Sequence, residues 1–434
     1  MKLILSLLLS LLVLHSPAAA QMSASERAMV QAVEKDTERN LALLERLVNQ
    51  NSGTLNLPGV EAAGKMVAAE LQPLGFAVKW VPMAETGRAG HLIATHKGDG
   101  RGKRMLLIAH LDTVFEPDSP FQRFERQGGR AIGPGVGDDK GGIVVILAAL
   151  RAMQSAGPLK KADIVVVLTG DEERTGEPLE IARRDLIEAG RWADVALEFE
   201  NLASENGQDF GTVARRSSTS WTLTATGRTG HSSGIFGPGV GYGAIYELVR
   251  ILDSFRRELP ERYLTYNVGV VGGGTPASID EQGLKVTASG KTNIIAETAI
   301  ARGDLRTLTR EQDARVRARM MQIVGQHLPG TKAELRFFDS YPPMEPTAGN
   351  RAILARLNRV NQDLGLPQMA EYDPGRRGAA DSSFVARDAD VLAGMGAVGG
   401  GAHAVGEWIE IASIDRQAKR AAILMSRLAR EKRR

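Results

Sequence analysis

The chain of 434 residues contains no cysteine. Disulfides are excluded as a source of stability, thiolates are excluded as metal ligands, and a lipid anchor of the kind added to exported bacterial-type precursors has no attachment point. Charge imbalance is also missing. The formal net charge is +3, which argues for no particular partner, and the basic stretches KGDGRGKR (97–104) and REKRR (430–434) read as a solvated loop and a tail. No nucleic-acid partner is expected. Internal repeats and low-complexity tracts are absent too.

Long apolar runs are nearly missing. The one that exists, LILSLLLSLLVL, follows Lys2 and precedes the small-residue site SPAAA, so residues 1–20 read as a secretory signal peptide cut after Ala20. No later segment reaches the roughly 18 apolar residues of a spanning helix. The mature protein is expected to be soluble, periplasmic or secreted, with no membrane partner. At roughly 100–200 residues per domain it has room for two or three domains with sizeable cores.

What is present alternates between two textures. Helical periodicity runs through 25–53 and 59–75, followed by short apolar runs at 105–109, 163–169 and 194–199 that are separated by helix-like segments at 140–156 and 178–190. Strands alternating with helices predict an α/β domain with a mostly parallel central sheet. From about residue 215 the pattern becomes that of a half-exposed strand (217–227). A helix (241–257), strands at 263–274 and 298–308, a helix (309–328) and a strand (333–339) complete an inserted α+β domain. The proline-rich SYPPMEP (340–346) closes it. The catalytic domain is thus expected from 21–214 and 341–434, with 215–340 inserted.

Chemistry collects at the strand ends. His110 and Asp112 leave an apolar strand two residues apart, a spacing that puts the Asp112 carboxylate behind the imidazole. Three carboxylate groups sit at equivalent exits: Asp138 and Asp139 in the glycine-rich GPGVGDDKGG, Asp171, Glu172 and Glu173 in TGDEERTG, and Glu198 and Glu200 in EFEN. In open α/β sheets, ligands bind beyond the carboxyl ends of the strands. Imidazole and carboxylates without thiolate suit zinc, with cobalt or manganese possible, and the supply of carboxylates favours two ions sharing one of them. Asp139 is expected to cap the following helix.

In order and spacing, HLDTVF, GPGVGDDKGG, TGDEERTG, EFEN and GGGAHAVGEW resemble the co-catalytic dizinc amidohydrolases that include glutamate carboxypeptidase, aminoacylase, succinyl-diaminopimelate desuccinylase and several di- and tripeptidases. The glutamate carboxypeptidase branch is the most similar. The resemblance implies two Zn2+ per subunit. Asp138 would bridge them, His110 and Glu200 would hold one, and Glu173 and His403 the other. Glu172 would act as general base toward a metal-activated water, and Asp112 would orient His110. A cis peptide is implied between Asp138 and Asp139. In the inserted domain, His231 (TGHSSG) would reach across a homodimer interface toward the oxyanion, while Asn293 and Arg306 (KTNIIAETAIARGDLRT) would hold substrate. Asp381 in GRRGAADSS matches the family's aspartate, and the departure from the family at Arg376 and Arg377 adds a basic pair suited to a substrate carboxylate.

The expectation is therefore an exported metallopeptidase of carboxypeptidase type, acting on a small peptide or N-acyl amino acid. A di- or tripeptidase or an aminoacylase of the same family is the second reading. A solute-binding protein that kept the fold and lost activity is the reading from another class, and a phosphatase-like two-metal enzyme is disfavoured because no phosphate clamp is evident.

Overall fold

The computed structural model describes residues 22–433, so the leader assigned to 1–20 lies outside the described residues. The chain enters through helix α1 (Ala24–Lys35), whose start is set by a reciprocal cap: Ser23 Oγ accepts the Glu26 amide and the Glu26 carboxylate accepts the Ser23 amide. The single helix expected over 25–53 is two, α1 and α2 (Thr37–Asn49), broken at Asp36, where the backbone leaves helical geometry. Asn56 caps α3 (Leu57–Leu71), with Pro58 in its first turn.

A six-stranded sheet carries the catalytic domain. Its first five strands in the chain are β1 (Ala77–Pro82), β2 (Gly90–His96), β3 (Arg104–His110), β4 (Asp163–Thr169) and β5 (Val195–Glu198). Strands β3, β4 and β5 are parallel, whereas β1 and β2 add an antiparallel edge beside β4. The sheet is mixed at that edge and parallel where it matters for the site. Helix α4 (Gly142–Ser155) is buried along nearly its whole length. Val144, Leu147 and Leu150 join Met105, Leu107, Ile164 and Val166 in one core, where each fully buried side chain contributes about 1.5–3 kcal/mol. The segment expected as one helix over 178–190 is two, α5 (Leu179–Ala182) and α6 (Arg184–Trp192).

A second sheet holds β6 (Ser218–Gly227), β7 (Thr265–Gly274), β8 (Thr298–Arg306) and β9 (Thr331–Tyr341), in the order β7-β8-β6-β9 and antiparallel throughout. Helices α7 (Gly243–Glu258) and α8 (Arg310–Val324) cover it around a separate core of Trp221, Leu223, Leu248, Ile251, Phe255 and Met320. Trp221 is fully buried, and its indole N–H is satisfied by the Asp304 carbonyl at 3.0 Å. The chain then returns through α9 (Ala348–Asp363) and β10 (Asp390–Leu392), which pairs in parallel with β5, and ends in α10 (Ile411–Leu428) packed on α4. No helix among the described residues is long and apolar enough to cross a membrane.

Candidate metal centre and active site

Parallel register aligns the strand exits. His110 pairs with Thr169, and Ile108 lies between Val167 and Glu198, so the residues that follow β3, β4 and β5 emerge along one edge. His110 Nε2 stands 3.0 Å from Asp138 Oδ1, and His403 Nε2 stands 3.1 Å from Asp138 Oδ2 and 3.0 Å from Glu173 Oε2. One carboxylate thus lies between two imidazoles. Donor atoms of His110, Asp138 and Glu173 fall within 4.8 Å of one another, as do those of His110, Glu172 and Glu200.

Protonation at this centre follows from crowding. Burial alone would raise Asp138, yet the histidines on either side hold its carboxyl well below the usual range. Contacts with Asp138 and Glu173 carry His403 up to about 11. Burial, helped by neighbouring carboxylates, pushes Glu200 up to about 7 despite Arg215, and lifts Glu172 well above the usual value. Glu173 Oε1 is buried with no hydrogen-bond partner. An orphaned carboxylate oxygen amid like charges is the environment a cation relieves, and the residues present fit a pair of metal ions.

The loop bearing Asp138 is built by glycine and by a distant carboxylate. Gly135 has φ 66°, and a Cβ at Gly142 would stand 1.9 Å from the Phe199 carbonyl oxygen and 2.2 Å from Asp139 Oδ1, so only glycine lets α4 begin there. Glu407 Oε1 accepts the amides of Gly137 (2.7 Å) and Asp138 (2.9 Å), while Oε2 accepts that of Gly135 (3.1 Å). The Asp138–Asp139 peptide is cis. Asp139 does not cap the helix: α4 starts from Gly141 without a side-chain cap, and both Asp139 carboxylate oxygens are buried without a hydrogen bond. The Asp139 carboxylate lies against Gly142, the first residue of α4, yet accepts none of the helix's amides.

Asp112 faces His110 through two groups. His110 Nδ1 meets the main-chain oxygen of Asp112 at 3.0 Å, while the carboxylate is 3.5 Å away. The carboxylate also accepts the amides of Glu172 (3.0 Å) and Glu173 (3.1 Å) and the Thr54 hydroxyl (2.7 Å).

Other expected residues fall into two groups. Arg377 turns inward, donating to the Asn201 carbonyl at 2.5 Å with a nitrogen 3.7 Å from Glu200 Oε2. Arg376 stays outside, paired with Glu205 and lying over the Tyr372 ring. His231 and Asn293 come together in the inserted domain, where the Ser232 amide donates to the Asn293 carbonyl at 2.9 Å, and Arg306 pairs with Asp304 on its own strand. No hydrogen bond or ion pair among the described residues joins these three to the metal centre.

Three supports, two of them fully buried, carry no signal in a single sequence. Arg215 donates to Glu198 at 2.5 Å and to Glu200 at 2.7 Å. Arg183 joins Asp171 (2.6 Å) to Asp381 (2.8 Å), and the Tyr341 hydroxyl donates to the Glu172 carbonyl at 2.8 Å. A single arginine or tyrosine announces neither its surroundings nor its distant partner.

Residues 106–427 match the model of Peptidase family M20/M25/M40. Carboxypeptidase G2 of Pseudomonas sp. (strain RS-16) is 26% identical over 406 residues, covering 92% of each chain. A succinyl-diaminopimelate desuccinylase of Novosphingobium aromaticivorans is 28% identical over 307 residues, covering 68% of this chain and 75% of its own. Among solved structures, aminopeptidase PepT of Bacillus cereus superposes with a TM-score of 0.70 at 18% identity, covering 91% of this chain and 99% of its own, a likeness of fold. With the motifs in order and the metal donors gathered at the strand ends, the chain belongs to peptidase family M20/M25/M40 and is a metal-dependent peptidase or amidohydrolase.

Proposed function

We propose that the protein is an exported dizinc hydrolase of carboxypeptidase type, cleaving the amide bond to a C-terminal amino acid in a small peptide or N-acyl amino acid. The observation that carries this reading is Asp138, whose two oxygens face His110 on one side and His403 on the other. His110 and Glu200 would hold one ion, Glu173 and His403 the other, with Asp138 shared. Bound metal would polarise the scissile carbonyl and acidify a water.

The chain's own groups do the rest. Glu172 lies among the gathered donors, with His110 and Glu200, and burial raises its proton affinity. It can therefore take a proton from the attacking water and deliver it to the leaving amine. Asp112 holds the main chain of Glu172 and Glu173 in register, and Arg215 holds Glu200. Similarity to a carboxypeptidase and to a desuccinylase is the reason both small peptides and N-acyl amino acids stay in the substrate class. Residues 1–20 support export. Exposed Ile245, Tyr246 and Val249 on α7 and the edge position of β7 support a homodimer built through the inserted domain.

The test is release of free amino acid from a panel of dipeptides and N-acyl amino acids, with and without chelator, by the mature protein and Glu172→Ala. Chelator-sensitive release that disappears in the variant at unchanged metal content is expected. A fully metallated protein that turns over no amide would overturn the reading in favour of a binding protein.

A further inference from the structure

Tyr341 ends β9 and begins the return from the inserted domain to the catalytic one. At the outgoing crossing Ser218 pairs with Tyr341 in the β6–β9 register, and Arg215 and Met344 exchange two main-chain hydrogen bonds of 3.0 Å. The two connections between domains therefore run side by side, and any change in the direction of the inserted sheet is felt at this pair of strand ends. A cavity of about 320 Å³ adjoins them, lined by Ser217, Thr219, Arg317, Tyr341, Pro342 and Phe384, so the crossing is not packed solid.

The Tyr341 side chain reaches into the catalytic domain. Its ring centroid lies 5.1 Å from that of Phe384. Its hydroxyl stands 2.8 Å from the Glu172 carbonyl oxygen, and 3.3 Å from both Thr175 Oγ1 and Arg183 Nη2. A guanidinium can only donate, so the phenol accepts from Arg183 and gives its own proton to the carbonyl. Arg183 is itself fixed, with no exposed surface and carboxylates of Asp171 and Asp381 on either side.

Segment 171–176 is thus held from two directions. The catalytic domain grips its amides, through Asp112 at Glu172 and Glu173 and through Asp171 at Gly176. Among the described residues, Tyr341 is the only residue of the inserted domain's strands that hydrogen-bonds this segment. We propose that Tyr341 is a positioning residue that couples the orientation of the inserted domain to the placement of Glu172. The carbonyl of Glu172 is captured when the domains stand at the angle that brings the phenol to it, and released when they do not. The catalytic part of this inference rests on Glu172 being the general base.

Tyr341→Phe removes the hydroxyl and keeps the ring. Losing the partly buried hydrogen bond to the Glu172 carbonyl changes the placement equilibrium about 3- to 10-fold. In the full, metal-loaded chain, kcat is expected to fall by about that factor, with KM and metal content unchanged, and amide hydrogen exchange across 171–176 is expected to quicken by a similar factor. A lower melting temperature with unchanged kcat and unchanged exchange would reduce Tyr341 to a structural contact and overturn the proposal, as would loss of metal in parallel with activity. Exchange is read independently of turnover. Unchanged exchange overturns the coupling whatever the activity does, and faster exchange in a protein that hydrolyses no amide supports the coupling while overturning the peptidase reading.

Discussion

The Asp112 carboxylate accepts the main-chain amide of Glu172 at 3.0 Å, so the residue two places after His110 also sets the backbone of the proposed base. Its other oxygen takes the amide of Glu173. Contacts with His110, the Thr54 hydroxyl and these amides keep Asp112 ionised against the effect of burial. In Asp112→Asn one acceptor becomes an NH2 group that faces an N–H, and one of the two amides is left unpaired. A loss of about 10- to 100-fold in activity or metal affinity is expected, read by kcat beside metal content by elemental analysis. Activity within twofold of wild type would show that the amide contacts are dispensable.

Glu407 makes a prediction of a different kind. Its carboxylate is the acceptor for three amides of the loop that bears Asp138, and it lies four residues after His403. Glu407→Ala leaves those buried donors without a partner, at about 1–3 kcal/mol for each group that water cannot reach. Denaturant unfolding of the catalytic domain should show a loss of about 2–6 kcal/mol, set by the two fully buried donors at Gly135 and Gly137, accompanied by weaker metal binding because Asp138 loses its support. Wild-type metal affinity in a folded variant would contradict this account of the loop.

How much of this was legible in advance depended on distance along the chain. His110, Glu172, Glu173 and Glu200 follow apolar strands directly, and the parallel register that gathers them is implied by the alternation of strands and helices. The pairing of His110 with Asp112 is legible from their spacing, but the share taken by the main chain is not: β3 stops at His110, the chain turns, and the Asp112 carbonyl stands closer to the imidazole's second nitrogen (3.0 Å) than the carboxylate does (3.5 Å). The break at Asp36 was hidden because apolar residues keep helical spacing across it, with no glycine or proline to mark it. Strands β1 and β2 go unpredicted because AVKWVP and GHLIATH mix polar and apolar residues and form no unbroken apolar run. Arg183, Arg215 and Tyr341 were invisible for another reason: each acts through a partner brought near only by the finished fold.

The adjacent arginines 376 and 377 separate in function. The Arg376 side chain is 59% exposed and paired with Glu205, and surface pairs of this sort contribute about 0–1 kcal/mol. Arg376→Ala should change turnover less than twofold. Arg377 stands 3.7 Å from Glu200; on the proposal that it takes the substrate carboxylate, loss of a charge-assisted hydrogen bond of about 1.5–3 kcal/mol predicts a rise in KM on the order of 10- to 100-fold in Arg377→Ala. Steady-state kinetics on one carboxylate-bearing substrate decide it, and equal effects from both arginines would reject the distinction.

Metal binding should depend on pH with a definite sign. Without metal, His403 holds its proton up to about pH 11 and Glu200 up to about pH 7, and both must deprotonate to act as ligands. Each displaced proton raises apparent metal affinity about tenfold per pH unit while that group is protonated. The same two shifts act oppositely on the metal-free protein. Both groups bind protons more tightly folded than unfolded, so the stabilisation tied to His403 is complete below its unfolded value of 6.5 and is lost as pH rises toward about 11. For Glu200 the corresponding loss runs from 4.5 to about 7. The melting-temperature gap between metal-loaded and chelated protein should therefore widen from pH 6 to pH 8.5, with proton release detectable on metal addition in weak buffer. A gap that stays constant, with no protons released, would mean that His403 and Glu200 are not the groups the metal displaces protons from.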